Sequence, residues 1–188
     1  MNMLHSFVRW VFVPRLTAPR ATWLIRLMTG AVFLSEGIIK FLYANQGVGR
    51  FTKLGMPVPA FTATFVGTLE IVGGLMLILG LLTRAFAIAF TIEMVVAILS
   101  TKISLYLGTS PLPAPLAPPT SGFWAVMHET RSDWAQLLTA SYLLVAGPGP
   151  CSLDALTQKR WGRLARSRAK GTEPLSGIGV GTHVPVAR

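Results

Sequence analysis

The stretch FTATFVGTLEIVGGLMLILGLL, residues 61–82, decides the fold class, because it holds one charged residue among 22. A helix of about 20 mostly apolar residues is long enough to cross the hydrocarbon core of a bilayer. In the whole chain 52% of residues are hydrophobic and 13% are charged, and that charged share is about half of the average for soluble domains. We therefore interpret residues 61–82 as a membrane-spanning helix of an integral membrane protein.

Three further segments approach the same length and apolarity. They are residues 21–44, 85–107 and 130–147. The connection Thr83-Arg84 that follows the first stretch is so short that it predicts an antiparallel hairpin. The apolar part of the last segment, residues 132–147, spans about 24 Å at 1.5 Å per residue, so we expect it to recruit residues before it. We predict an all-α polytopic membrane protein, a four-transmembrane-helix bundle.

The distribution of basic residues predicts the orientation of this bundle. Four crossings place both termini on one side, where eleven basic residues fall outside the helices, against four on the other side. Because basic loops stay on the cytoplasmic side, we expect both termini to be cytoplasmic. The chain then divides into an interfacial N-terminal segment 1–20, a transmembrane domain 21–150 and a basic, partly disordered cytoplasmic tail 151–188.

More than half of the net charge of +10 lies near the C-terminus. From Lys159 onward there are seven basic residues and one acidic residue, a net charge of +6. A basic tail on an apolar body is typical of a topology signal and of contact with anionic lipid. We therefore expect the lipid bilayer as a partner and no binding of nucleic acid.

The single cysteine, Cys151, narrows the chemistry further. It excludes an internal disulfide, a C-x-x-C redox motif and a cysteine-ligated metal centre within one chain. His5 and His183 lie outside the predicted crossings, so the bundle cannot hold a haem with two axial histidines. We expect no metal site and no covalently bound cofactor.

Ionisable residues inside the predicted helices are the candidate functional residues. Glu36 and Lys40 are four residues apart and share one helix face, on which Arg26 also falls. Glu70 and Glu93 are contributed by the two central helices. A charge at the bilayer centre costs about 2.5–3.5 kcal/mol, so these five groups must pair, lose their charge or line a wet cavity.

The depths of these residues predict a polar cluster in the outer half of the bundle, with Trp134, Gln136 and Tyr142 as neighbours. The three glutamates outnumber the two cations unless Lys102 reaches inward, so we expect at least one glutamic acid, Glu93 first, to be protonated near neutral pH. Two interpretations stay open. The cluster is a ligand-binding or proton-exchanging site, or it only fixes the packing of the helices.

Four blocks in order carry a resemblance to a known family. They are RLMTGAVFLSEGIIKF (26–41), RFTKLGMPVPAFTA (50–63), EIVGGLMLILGLLTRA (70–85) and GPGPCSLDA (147–155). Over residues 22–156 the chain resembles the DoxX family of small bacterial membrane proteins. The resemblance implies a four-helix bundle in the bacterial cytoplasmic (inner) membrane. The family positions it carries over are Arg26, Glu36, Lys40, Glu70, Gly73, Gly74 and Arg84.

The resemblance also implies a link to redox chemistry. Some members of the family are subunits associated with quinone-linked oxidation of sulfur compounds, and others belong to membrane complexes that respond to oxidative or thiol stress. Because this chain has one cysteine, a redox role needs an external carrier, and quinone is the carrier available in a bilayer. Whether the chain is itself an enzyme stays open, and no catalytic residue is assigned.

The leading hypothesis is a membrane subunit that binds quinone or another small amphiphile and supports an oxidoreductase partner protein. In it, Glu36 or Glu70 exchanges protons, Lys40 holds a carbonyl or anionic oxygen, and Arg26 stabilises the inner end of the first helix. The alternatives are a non-catalytic scaffold or assembly factor and, less favoured, a small transporter. A transporter of 188 residues would need a homo-oligomer for alternating access, and the sequence has no internal repeat.

Overall fold

The computed structural model describes residues 3–12 and 17–161, and within these ranges the chain is all-helical, without strands. The predicted all-α class is confirmed for this part of the chain. The helices are α1 (Met3–Phe12), α2 (Thr22–Leu42), α3 (Val48–Lys53), α4 (Pro59–Leu79), α5 (Thr83–Tyr106), α6 (Gly122–Glu129), α7 (Arg131–Ala146) and α8 (153–161).

Two of the described helices, α4 and α5, are long and apolar enough to cross a membrane. Helix α2 is 21 residues long, the same length as α4, but it carries three charged residues: Arg26, Glu36 and Lys40. Helix α7 has 16 residues and is separated from α6 by Thr130 alone. Helical hydrogen bonds run on both sides of this residue, from Thr130 N to Val126 O at 2.9 Å and from Trp134 N to Thr130 O at 2.8 Å.

The long helices form two tightly packed pairs, α2 with α4 and α5 with α7, and the pairs meet where α2 contacts α7 and α4 contacts α5. We call the space between the two pairs the seam. Its apolar part is held by Phe33 and Phe90, whose rings stack with centroids 3.8 Å apart. The surrounding core consists of Leu77, Ala87, Ala140 and Leu143.

Glycines set the close approach of α2 and α4. A Cβ atom on Gly30 would lie 2.5 Å from the carbonyl oxygen of Gly74, and one on Gly37 would lie 2.7 Å from that of Gly67. Side chains at these positions would push the backbones apart. The two contacts define an antiparallel register, in which α2 and α4 meet α3 at one end of the bundle (the α3 end) and approach α8 at the other (the α8 end).

The predicted Thr83-Arg84 turn was wrong, because the chain turns at residues 80–82. Helix α4 ends at Leu79, its C-cap Gly80 has φ of 70°, and Thr83 already belongs to α5. The Asp154 carboxylate fixes this geometry, since Oδ1 accepts a hydrogen bond from Leu82 N at 2.9 Å and Oδ2 accepts one from Thr83 N at 3.1 Å. The acceptor lies 71 residues beyond Thr83 in the chain, which local sequence could not reveal.

The loops at the α3 end contain more helix than the sequence suggested. The first loop includes α3, and the proline-containing stretch after α5 is followed by helix α6, which begins at Gly122. All five prolines of that loop lie within residues 111–119, so none of them interrupts the stretch that follows. The tail predicted to be disordered falls mainly on residues 162–188, outside the described residues.

Candidate functional site

A buried ion pair joins α2 to α4 near the α3 end. Lys40 Nζ lies 2.8 Å from Glu70 Oε1, to which it donates a hydrogen bond, and 2.7 Å from Oε2. Both carboxylate oxygens are therefore in contact with the ammonium group. Glu70 is only 2% exposed, so Lys40 neutralises a carboxylate that water cannot reach.

The glycine-lined register explains why these two side chains meet. With Gly30 opposite Gly74, Glu70 is level with residue 34 of α2, about 9 Å from the level of Lys40. Side chains tilt toward the N-terminus of their own helix. In antiparallel helices Lys40 therefore leans toward the α8 end and Glu70 leans toward the α3 end, and the tilt closes the gap.

Glu93 brings a second carboxyl group to the pair from α5. The carboxyl groups of Glu70 and Glu93 lie within hydrogen-bonding reach of each other across the seam. The positive charge of Lys40 attracts both groups electrostatically. Glu93 Oε2 is buried and has no hydrogen-bond partner among the described residues. One lysine is therefore the neighbouring cation of two carboxyl groups.

Glu36 connects this cluster with the surface of the bundle. Its Oε2 is 4.0 Å from Lys40 Nζ, and its side chain is 54% exposed, against 13% for Lys40. Lys40 also donates a hydrogen bond to the Glu36 carbonyl oxygen at 3.4 Å. Exposure thus falls from Glu36 through Lys40 to Glu70.

Gln136 of α7 belongs with the buried polar residues, although sequence reasoning named it only as a neighbour. It is 5% exposed, and no described residue donates a hydrogen bond to its Oε1 atom. The other two expected neighbours lie elsewhere. Trp134 is 47% exposed, and the Tyr142 hydroxyl lies 3.1 Å from Thr22 Oγ1 at the α8 end.

Lys102 does not supply the missing cation. Its Nζ lies 3.0 Å from Asp133 Oδ2 and donates a hydrogen bond to the Glu129 carbonyl oxygen at 2.9 Å. These partners hold it at the junction of α5, α6 and α7. The excess of acid over base in the seam therefore remains.

Arg26 does not join the cluster either, although the sequence places it on the same stripe as Lys40. Fourteen residues of helix separate the two by about 21 Å, and Arg26 donates a hydrogen bond to the Cys151 carbonyl oxygen at the α8 end. Its guanidinium packs directly on Gly80 and is close to Asp154. The set predicted from sequence thus divides between the two ends of the bundle.

Arg84 completes a second, structural group at the α8 end. Its guanidinium donates hydrogen bonds to the carbonyl oxygens of Trp10 at 2.8 Å and Val145 at 3.2 Å, and it lies 4.5 Å from the Trp10 ring centroid. This contact ties α1 and the end of α7 to the first turn of α5. Together with Asp154 and Arg26, it fastens the segments that meet at this end.

In the part of the chain that the structure describes, no three His, Cys, Asp or Glu side chains are grouped so that they could hold a metal ion. The chemistry that remains is that of one ammonium group and two facing carboxyl groups in a protein interior. Such a group can exchange a proton and can donate or accept hydrogen bonds. It lies where the two helix pairs meet, and the pairs contact each other less extensively than the long helices do within each pair.

Comparison with known proteins places the chain among bacterial membrane proteins. The membrane protein Rv3486 of Mycobacterium tuberculosis (strain ATCC 25618 / H37Rv), itself uncharacterized, is 41% identical over 157 residues, which cover 80% of this chain and 90% of Rv3486. CatD of Bacillus subtilis (strain 168), whose name classes it provisionally as an oxidoreductase, is 28% identical over 138 residues, covering 73% of this chain and 87% of CatD. No solved structure matches.

The family model that matches is DoxX, over residues 21–103. This range contains α2, α3, α4 and most of α5, and with them Lys40, Glu70 and Glu93. The resemblance read from the four sequence blocks is confirmed, and the chain is a membrane protein of the DoxX family.

Proposed function

We propose that the chain crosses the bacterial cytoplasmic membrane four times, with both termini in the cytoplasm. The crossings are α2, α4, α5 and the α6–α7 segment. The α8 end, where Arg20, Arg84 and Lys159 lie, is the cytoplasmic end. Large apolar side chains exposed on the outward faces of these helices support the assignment, since lipid would cover them: Phe65, Val72, Val96, Leu138 and Val145.

We propose further that the chain is a membrane subunit that binds quinone or a similar small amphiphile and supports an oxidoreductase partner. The observation that carries this proposal is the Lys40–Glu70–Glu93 cluster in the seam. Ionisable groups at this depth are costly to keep in a membrane and are usually functional. The relative CatD, named provisionally as an oxidoreductase, is consistent with a redox context.

The residues present fit a ligand with polar oxygens on a flat ring. Lys40 would donate a hydrogen bond to a ring oxygen, and the facing carboxyl groups of Glu70 and Glu93 would hold or release a proton beside it. Glu36, being exposed, would pass protons between Lys40 and the surface. Quinone would supply the electron-carrying chemistry that this chain, with its single cysteine, does not contain.

Entry of such a ligand requires the seam to open. Two grooves elsewhere have volumes of about 230 and 270 Å³, the first beside Cys151 and the second between α5 and α6, and neither is lined by Lys40, Glu70 or Glu93. The two helix pairs contact each other less extensively than the helices do within each pair. A small separation of the pairs would expose the cluster while leaving the glycine contacts within α2/α4 intact.

A scaffold role is the competing candidate, and one observation favours it. The Lys40–Glu70 pair joins the same two helices that the glycine contacts bring together, so it also fixes their register. A buried ion pair of this kind can specify packing without binding any ligand. The two roles differ in what the purified protein retains.

The test is the quinone content and quinone affinity of the protein purified in mild detergent. Wild type, Lys40→Met and Glu70→Gln are compared, with Ser35→Ala as the control, because Ser35 lies on the same helix, is exposed and bonds only the Val32 carbonyl oxygen among the described residues. We expect wild type and the control to bind quinone, and the other two variants to lose at least about tenfold in affinity, the loss of one hydrogen bond to a charged group. Folded wild-type protein that binds no quinone would refute the proposal and leave the scaffold role.

A further inference from the structure

The seam contains more buried hydrogen-bond acceptors than donors. Glu93 Oε2 and Gln136 Oε1 are each buried without a hydrogen-bond partner among residues 3–12 and 17–161, and the two oxygens of Glu70 share one ammonium group. The cation of the cluster is the Lys40 ammonium group, which already donates a hydrogen bond to Glu70 Oε1 and lies 2.7 Å from Oε2. A proton shared between Glu70 and Glu93 would supply those two residues but would leave Gln136 without a donor.

The register of α5 against α7 brings Gln136 to the depth of Glu93. Arg84 contacts the Val145 carbonyl oxygen near the α8 end, and Lys102 contacts Asp133 near the α3 end. The first contact places Gln136 opposite Glu93. The second places it opposite residue 99, about 9 Å closer to the α3 end. Gln136 therefore lies between the level of Glu93 and a level about 9 Å closer to the α3 end.

Burial decides which way Gln136 faces. At 5% exposure its side chain lies inside the bundle, where α7 contacts α5 and α2. An amide oxygen that is buried without a donor loses its hydrogen bond to water and gains none in return, so it destabilises the folded protein. The cost is removed when a molecule carrying O–H groups occupies the seam.

We propose that the seam binds its amphiphile preferentially in the reduced, hydroquinone form, whose hydroxyl groups donate hydrogen bonds to Gln136 Oε1 and Glu93 Oε2. The inference rests on the proposed function and names its ligand state. A quinone ring offers only acceptors and is matched by Lys40 alone. A hydroquinone ring offers two donors to a site that lacks donors, and Gln136 becomes a specificity-determining residue on the wall opposite Lys40.

The experiment compares the two oxidation states of one probe. Binding of decylubiquinone and of its quinol, kept reduced under anaerobic conditions, is measured on detergent-purified wild type and Gln136→Leu, with Gln136→Met as a second variant of similar volume. Thr139→Val is the matched control on α7, because the Thr139 hydroxyl already bonds the Ala135 carbonyl oxygen at 2.8 Å. The melting temperature of each ligand-free protein is recorded as well.

We expect wild type and Thr139→Val to bind the quinol at least about tenfold more tightly than the quinone. In Gln136→Leu this preference falls by about fivefold, while quinone affinity is unchanged and the ligand-free melting temperature rises. A glutamine with a purely structural role would instead lower the melting temperature when replaced.

The other outcomes overturn the inference in distinguishable ways. Equal binding of both forms to wild type, or a preference that survives in both Gln136 variants, refutes the hydroquinone assignment while the proposed function stands. A raised melting temperature with an unchanged preference identifies a buried water as the donor to Gln136, which also refutes it. If neither form binds folded wild type, the proposed function fails together with the inference.

Discussion

Replacement of Lys40 by methionine removes the cation that faces Glu70 while keeping a long side chain between α2 and α4. Nζ is 2.7 and 2.8 Å from the two carboxylate oxygens, and Glu70 is 2% exposed. Removing one partner of a buried ion pair typically costs about 3–5 kcal/mol, because the other charge is left without compensation. We expect Lys40→Met to lower the free energy of unfolding by an amount in this range.

Replacing the other partner of the ion pair, Glu70, separates the effect of charge from the effect of packing. Glu70→Met should cost less than Lys40→Met, since Lys40 is 13% exposed and its flexible chain can turn the ammonium group toward the surface. The double variant, with two methionines in contact, should regain at least about 2 kcal/mol relative to the sum of the single variants. Glu36→Gln is the control and should change stability by no more than about 0.5 kcal/mol, because Glu36 is 54% exposed and 4.0 Å away.

The assay is reversible unfolding of the detergent-solubilised protein by increasing mole fraction of SDS, followed by tryptophan fluorescence and circular dichroism. The free energy of unfolding is obtained for wild type, both single variants, the double variant and the control. Single variants that add without coupling, or a Lys40→Met loss no larger than that of the control, would show that the ion pair does not hold the two helices together.

Three further predictions concern other parts of the bundle. Gly74→Ala should destabilise the protein by about 1–3 kcal/mol or more in the same assay, because the new Cβ would lie 2.6 Å from the Gly30 carbonyl oxygen; stability equal to wild type would contradict the close helix approach. Asp154→Ala should cost about 1–2 kcal/mol by removing the acceptor for Leu82 N and Thr83 N, and proteolysis at the α4–α5 connection should become faster; unchanged cleavage would argue against this cap. Infrared difference titration should show a carboxylic-acid band near neutral pH that disappears in Glu93→Gln, because Lys40 compensates the negative charge of only one of the two facing carboxyl groups. A band that persists in the variant would assign the proton to another residue.

The long helices could be predicted from the apolar composition of their segments. Residues 61–82 were identified because an uninterrupted apolar run of that length has few alternatives, and α4 covers most of them. The position of the α4–α5 turn was missed because its cap, Asp154, is distant in sequence. Helix α6 was missed because the prolines before it dominated the pattern of the whole loop.

The candidate site shows a similar division. The buried glutamates were detectable because a charge inside an apolar run is costly, and their depth followed from helix rise. The pairing of Lys40 with Glu70 depends on the register set by Gly30 and Gly74, which only the packed helices define. Tyr142 was assigned to the wrong end for the same reason, since the register of α7 against α2 was unknown.

The most direct test of a ligand site in the seam is photoaffinity labelling with an azido-quinone, followed by mass-spectrometric identification of the labelled peptides. We expect labels on α2 around Glu36 and Lys40 and on α5 around Glu93. Unlabelled decylubiquinol should compete with the label, and Lys40→Met should reduce the labelling. Labelling confined to lipid-facing residues such as Phe65 and Val96, without competition, would contradict a binding site between the two helix pairs.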